Sequence, residues 1–136
     1  MPLAKLDHYS VRTTRLAETE RFYTEVLGLQ VGARPAFKFP GIWLYHGAQA
    51  VVHVVGIDRA NPQPLIDYLG EKGLRDADET GSIDHIAFVA RDFEGMRAHF
   101  TAVGCPFRER MVPTLNLAQL FVDDPKKRKA LADLYR

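Results

Sequence analysis

The feature that most constrains this chain is a short pattern that occurs twice, 77 positions apart. An apolar residue, Asp-His and a strand-favouring run stand at residues 6–11 (LDHYSV) and again at 83–88 (IDHIAF). A segment with helical periodicity follows each copy. A module of this length cannot bury the face of its own sheet, so the two copies must share a core. The sequence therefore predicts two related modules within one structural domain.

The first copy opens a β-α-β-β-β series. Strand-favouring residues at 4–12 precede a helix predicted at about 15–27, where apolar residues recur every three or four positions. Thr14 can cap the start of this helix, and Gly28 can end it in a left-handed conformation. Pro35 makes the next strand an irregular or edge strand. The three remaining strands of the first module are predicted at residues 31–39, 42–46 and 50–55.

A linker and a second series follow. The first module is assigned to residues 1–58, a polar linker with Pro and Gly to 59–81, and the second module to 82–136. One helical turn is predicted at Leu65–Leu69, and Asp92 can cap a helix at 93–103. The second module has strands predicted at 82–90, 107–112 and 117–122. A final strand is expected near 129–135, but that stretch favours helix and lacks β-branched residues, so its structure is ambiguous.

Two β-α-β-β-β units side by side predict an α+β fold with a curved, cup-shaped mixed sheet. Its concave face would be lined by alternate residues of each strand. An apolar content of 46% fits an ordinary globular protein. Eighteen basic and seventeen acidic side chains give a net charge of +1, so no global field attracts nucleic acid or an anionic membrane. The basic run at 126–129 is interpreted as a solvated surface.

A lone cysteine, Cys105, predicts neither a disulfide framework nor a thiolate metal cluster. The chain shows no apolar segment of the length of a signal peptide or a membrane span. These observations fit a reducing cytoplasm.

Three histidines are candidate metal ligands. His8 and His85 occupy the same place in the two modules, and two neutral imidazoles brought together are good ligands for Zn, Ni, Mn or Fe. Asp7 and Asp84 precede them and should point to the other face of the sheet by strand alternation. His53 lies on the predicted fourth strand, and its counterpart in the second module falls near Ala130 or Leu131, where no side chain can bind a metal. Three imidazoles and an open position suit a Lewis-acid metal that holds water or substrate.

Four motifs in order resemble the vicinal oxygen chelate superfamily, which joins glyoxalase I, extradiol dioxygenases and bleomycin-resistance proteins. They are the first Asp-His, FYTEVLGL at 22–29, IDHIAF at 83–88 and LFVDDP at 120–125. The resemblance implies paired modules that form a cup for one divalent metal, often as a homodimer, and a small-molecule substrate. It places the metal ligands on His8, His53 and His85.

The chain departs from the family pattern after Asp124-Pro125. The family usually has a glycine two residues after this proline and a glutamate that binds the metal and often acts as the base. Here Lys127 and Leu131 stand at those places, and Asp133 could substitute only with a change of register. Glyoxalase-like proton abstraction needs a carboxylate base. Extradiol cleavage needs two His and one carboxylate on Fe or Mn. It therefore requires fewer replaced residues than glyoxalase-like chemistry, since only the Leu131 position lacks its ligand. His53 could then act as an acid or base.

Aromatic residues complete the predicted site. A cleft that accepts aromatic ligands can be lined by Phe37, Trp43, Tyr45 and Phe121, although an aromatic in a strand is usually core. Three hypotheses follow. The first is a metal-dependent enzyme acting on a small vicinal oxygenated substrate, with a dioxygenase preferred over a lyase or isomerase. The second is a binding protein without turnover, like the proteins that sequester bleomycin. The third is a crippled or truncated relative whose last strand is disordered.

Overall fold

Two compact units, Met1–Asp76 and Ala77–Arg136, make up the chain. The computed structural model describes residues 4–75, 85–113 and 116–125, and the backbone of 129–135. Each unit has the element order β-α-β-β-β and one four-stranded mixed sheet. The predicted α+β fold of paired β-α-β-β-β modules is thus confirmed. The division falls inside the segment predicted as a linker, while its exact limits at 59 and 81 stay a prediction.

The first sheet has the strand order β1-β4-β3-β2. β1 and β4 are parallel, and the other two pairs are antiparallel. The strand predicted at 31–39 is shorter than expected: β2 spans only Gln30–Gly32, and it lies at one edge of the sheet as Pro35 predicted. Leu44 and Val52 face each other across β3 and β4 and are fully buried, so they form the centre of this unit's core. The strands are β1 (Tyr9–Thr13), β2 (Gln30–Gly32), β3 (Gly41–His46) and β4 (Gln49–Gly56).

A continuous helical segment follows β1, as predicted for residues 15–27. It consists of α1 (Leu16–Arg21) and one π-helical turn, Phe22–Val26. Gly28 ends the segment with a φ of +76°, in the left-handed region that favours glycine. The predicted cap at Thr14 is wrong: Arg15 is the N-cap, without a side-chain cap, and its own N–H donates to the Thr13 hydroxyl at 2.9 Å.

The segment after β4 is more ordered than the single predicted helical turn. It holds α2 (Gln63–Leu69) and a 3₁₀-helix, Glu71–Leu74. Leu65 is buried in a cluster with Phe39, Val55 and Ile57. The Arg12 guanidinium of β1 donates to the carbonyl oxygens of Lys72 and Arg75. Residues 63–75 therefore pack as part of the first unit.

The second sheet repeats the first with the order β5-β8-β7-β6. The predicted helix is α3 (Phe93–Ala102), and the Asp92 carboxylate accepts from the Gly95 N–H at 3.1 Å, as the capping prediction required. Arg97 of α3 binds both carboxylate oxygens of Glu109, at 2.6 and 2.7 Å. The strands are β5 (His85–Val89), β6 (Arg108–Val112), β7 (Leu117–Asp123) and β8 (Lys129–Tyr135).

The ambiguous final stretch is a strand. β8 pairs with β5 in parallel and with β7 in antiparallel orientation, so it lies inside the sheet. Asp84, Lys127 and most of the basic run at 126–129 lie outside the described residues, as do the side chains of β8. No helix in the described ranges has both the length and the apolarity needed to cross a membrane.

Leu44→Ala tests the core of the first unit. We expect it to lower the free energy of unfolding by about 2–5 kcal/mol, because it removes a fully buried side chain from a packed site. Urea denaturation measures this loss. Leu6→Ala is the matched control, since the side chain of Leu6 is 82% exposed and its removal should cost less than about 0.5 kcal/mol. Equal losses in the two variants would contradict the described packing.

Candidate functional site

The segment before β1 is attached to the start of β4 by a glutamine. The Gln49 side-chain amide donates to the backbone oxygen of Asp7 at 2.6 Å, and its carbonyl oxygen accepts from Lys5 at 3.4 Å. Residues 5–8 therefore lie beside the parallel strand β4 although they are not part of β1. This attachment places the His8 ring over the sheet. Nothing in the sequence pattern pointed to Gln49 or Lys5.

Asp7 and His8 form a hydrogen-bonded pair. Asp7 Oδ2 lies 2.7 Å from His8 Nδ1. Since a carboxylate only accepts, the His8 Nδ1 carries a proton and donates it to Asp7. The hydrogen bond from His8 holds the pKa of Asp7 below its usual range, and the charges of His8 and Lys5 act in the same direction. The predicted orientation of Asp7 towards the other face is wrong, because both residues precede β1 and strand alternation does not apply to them.

Three rings stand in a row on the first sheet. The His8 and His53 ring centroids are 3.7 Å apart at 14° between planes, and those of His53 and Trp43 are 3.8 Å apart at 9°. His53 is thus enclosed between the other two rings. The sheet explains the row, because Trp43 of β3 is the cross-strand partner of His53, so their side chains share one face. We call His8, His53 and Trp43 the ring stack.

The ring stack forms one wall of an open cavity of about 820 Å³. The rest of the lining is formed by Lys5, Asp7, Tyr45, His46 and residues 48–50. This volume suits a small organic molecule. The predicted pocket residues Trp43 and Tyr45 both line it. His46, the last residue of β3, also lines the cavity.

The other two predicted pocket aromatics, Phe37 and Phe121, are not among the residues that line this cavity of the first unit, and a place for Phe121 in a pocket shared by the two units stays a prediction. The Phe37 ring stacks on Phe39 at 4.9 Å and contacts Tyr68 at 5.1 Å, so it belongs to the aromatic cluster above α2 and is not among the cavity residues. Phe121 lies on β7 in the second unit, with the Arg108 guanidinium 5.0 Å from its ring centroid. These contacts are the packing role that an aromatic in a sheet commonly has.

The pKa of His53 is lowered from its ordinary value of 6.5. The main cause is burial, since rings cover both of its faces and penalise the charged form. The charge on His8 lowers it further, whereas the backbone of Ala50 and the Asp7 carboxylate oppose the shift. The neutral form of the middle ring is therefore favoured.

The stacked pair does not fit a shared metal ion. A cation binds an imidazole nitrogen in the plane of the ring at about 2.0–2.1 Å. The His8 and His53 rings are nearly parallel, so an ion at that distance from both would lie between the planes, outside both lone-pair directions. Among the described residues, no group of three His, Cys, Asp or Glu side chains is arranged to hold a metal.

His85, the third predicted ligand, is the first residue of β5 in the second unit. The place corresponding to His53 in that unit follows from strand pairing. Ser10, two residues after His8, pairs with His53, and Ala87, two residues after His85, pairs with Leu131. Leu131 thus occupies the position of His53 in the second module, as the repeat predicted. A site made by His8, His53 and His85 together stays a prediction.

Known proteins share this fold. A model of the Glyoxalase/Bleomycin resistance protein/Dioxygenase superfamily matches residues 5–127. The structure is similar to that of a lactoylglutathione lyase from Agrobacterium tumefaciens, with a TM-score of 0.66 and 16% identity over 98% of this chain and 96% of that one. It is also similar to virulence protein STM3117 from Salmonella typhimurium, with a TM-score of 0.67 and 20% identity over the whole of both chains.

A third similar structure is TnmS3, an antibiotic binding protein from Streptomyces sp. CB03234. Its TM-score is 0.69, with 14% identity over 100% of this chain and 99% of that one. No curated protein sequence matches the chain significantly. At these identities the solved structures show a shared fold.

The lowered pKa of His53 can be measured by NMR titration of the imidazole carbons. We expect a value below 6.5 in the wild type and a return towards 6.5 in Trp43→Leu, because that variant uncovers one face of the ring. The unfolded chain takes up this proton near pH 6.5 and the folded chain only at lower pH. His53 therefore reduces the free energy of unfolding as the pH falls from 6.5 to the folded-state pKa, and the reduction is reversed as the pH rises.

The control is Tyr68→Leu, which removes an aromatic ring outside the cavity and should leave the His53 titration unchanged. A wild-type His53 that titrates at or above 6.5 would contradict the described stack.

Proposed function

This chain belongs to the Glyoxalase/Bleomycin resistance protein/Dioxygenase superfamily, and we propose that it binds a small planar molecule in the cavity of the first unit without chemical turnover. The observation that supports this proposal is the ring stack in the cavity wall. A planar ligand can add a further layer to rings that are already aligned.

The ring stack favours planar ligands for two physical reasons. Offset stacking of aromatic rings contributes about 0.5–1.5 kcal/mol per pair beyond the area that it buries. Binding also costs less when the receptor side chains are already ordered, since about 0.5–1.5 kcal/mol is lost for each side chain immobilised on binding. Here Asp7 orients His8, and His53 is held between two rings, so these side chains lose little further freedom.

The second module supports a binding role over catalysis. Proton abstraction by a glyoxalase-like mechanism needs a carboxylate base, and Leu131 stands at the position where the resemblance implies one. The superfamily description includes bleomycin resistance proteins, and the similar TnmS3 is described as an antibiotic binding protein. A sequestering function is therefore consistent with both the residues and the fold.

Trp43 is the only tryptophan of the chain, so its fluorescence reports directly on the cavity. We expect acridine, a neutral planar probe, to quench this fluorescence saturably. Trp43→Leu should weaken acridine binding, measured by calorimetry, at least tenfold, because it removes one stacking surface. Tyr68→Leu is the matched control and should bind acridine like the wild type, since Tyr68 does not line the cavity. Failure of acridine to quench, or unchanged affinity in Trp43→Leu, would exclude this function.

The second candidate is a divalent-metal-dependent enzyme, with extradiol dioxygenase-type chemistry preferred over a lyase or isomerase. The pairing of Asp7 with His8 favours it, because a carboxylate that holds one ring nitrogen commonly orients a metal-binding histidine. This candidate keeps His8, His53 and His85 as ligands of one Fe, Mn, Zn or Ni ion, His53 as an acid or base, and a small vicinal oxygenated substrate, in a homodimer. It requires the His8 and His53 rings to leave their parallel arrangement.

Metal analysis distinguishes the two candidates. An enzyme of this type purified without chelators should carry about one divalent ion per chain and lose it in His85→Ala. The binding protein should bind acridine equally well in His85→Ala and in the presence of EDTA, since neither acts on the ring stack. Stoichiometric metal together with loss of acridine binding in EDTA would favour the enzyme.

A further inference from the structure

The wall of the cavity beside Trp43 is formed by Tyr45. The pairing of β3 with β4 shifts register between Leu44 and Tyr45. The Tyr45 hydroxyl donates to the backbone oxygen of Ala33 at 2.5 Å, just after β2. The ring is therefore attached at both ends, to the β3 backbone through its Cβ and to the chain after β2 through its hydroxyl. A ring held in this way has little freedom to move within the plane of the sheet.

Gly32 of β2 provides the space that this ring occupies. A Cβ atom at residue 32 would lie 2.6 Å from both Cδ2 and Cε2 of Tyr45 and 3.3 Å from its Cγ. Separations under 3.0 Å do not occur for real Cβ atoms, so the edge of the ring rests on the β2 backbone in a way that only glycine permits. The reason is close approach, since the φ of Gly32 is not positive.

Gly32 also lies next to the ring stack. It is the cross-strand partner of Trp43, so a side chain at residue 32 would stand on the same face of the sheet, beside the indole. With glycine at this place, the Tyr45 ring lies low against β2 at the end of the row formed by His8, His53 and Trp43.

We propose that Gly32 is a specificity-determining residue, which keeps the Tyr45 side of the cavity wide enough for fused, multi-ring planar ligands. This inference rests on the proposed binding function and names its ligand class. Optimal contact between carbon atoms is about 3.5–4.0 Å. An added methyl group at residue 32 must therefore displace the Tyr45 ring by roughly 1 Å. Because both ends of the ring are attached to the sheet, the displacement is directed into the cavity.

The test compares acridine, which has three fused rings, with pyridine, which is one ring of the same chemistry. Affinities come from the NMR shift of the Trp43 indole N–H. Gly32→Ala should weaken acridine binding at least tenfold and pyridine binding less than twofold, since only the larger probe needs the space next to Trp43. Val31→Ala is the control within β2, because Val31 is 48% exposed and should affect neither probe.

A rescue variant separates specificity from a structural defect. Gly32→Ala combined with Tyr45→Ala removes the ring that the added methyl group displaces, so acridine affinity should return to within about threefold of that of Tyr45→Ala alone. Urea denaturation confirms that each variant is folded. Equal losses for acridine and pyridine in Gly32→Ala, or a folded double variant without recovery, would overturn the role of Gly32.

The experiment distinguishes a failure of the proposed binding function from a failure of the proposed role of Gly32. A wild-type protein that binds neither probe would overturn the binding function and the role of Gly32 with it. If the wild type binds acridine and Gly32→Ala binds it with the same affinity, the binding function stands and the role of Gly32 is overturned.

Discussion

The parallel pairing of β1 with β4 is the constraint on which the candidate site depends. It joins Ser10 to His53 across 43 residues of chain and thereby brings the Asp-His segment alongside β4. Such a long closure costs chain entropy, which local contacts cannot offset. The apolar burial of Val11, Val52 and Val54 at this pairing offsets the entropy cost. The ring stack is a consequence of this pairing, since His8, just before β1, and Trp43, on β3, approach His53 from the two sides of β4.

The two units show how one framework carries different chemistry. Their strand orders and pairings are the same, and equivalent positions can be assigned from register alone. The first unit has His53 where the second has Leu131, so the repeat keeps the backbone framework and the Asp-His pair but not the histidine of β4. A widely used fold commonly carries different functional sites on the same backbone framework. The similar solved structures include both a lyase and an antibiotic binding protein, so the framework by itself does not select between catalysis and binding.

Within the first unit, His8 and His53 contact their neighbours through the faces of their rings as well as through their ring nitrogens. Burial favours the neutral form of His53, and the hydrogen bond to Asp7 fixes the orientation of the His8 ring. Gln49 supports this arrangement from the start of β4 by holding the backbone of Asp7. Tyr45, seated on Gly32, continues the aromatic surface beyond Trp43. These contacts make a preordered wall, which suits recognition of a planar surface.

Much of the fold followed from the sequence by itself. Local periodicity and turn residues, which act over a few positions, predicted the helices after each Asp-His copy and the positions of most strands. The correspondence of Leu131 with His53 also followed, because it needs only the repeat. Tertiary structure decided the rest. β8 is a strand despite its helix-favouring residues because it lies between β5 and β7. The three rings align because side chains remote along the chain meet only after the strands have paired. The contact of Asp7 with His8 is local, and strand alternation does not predict it because both residues precede β1.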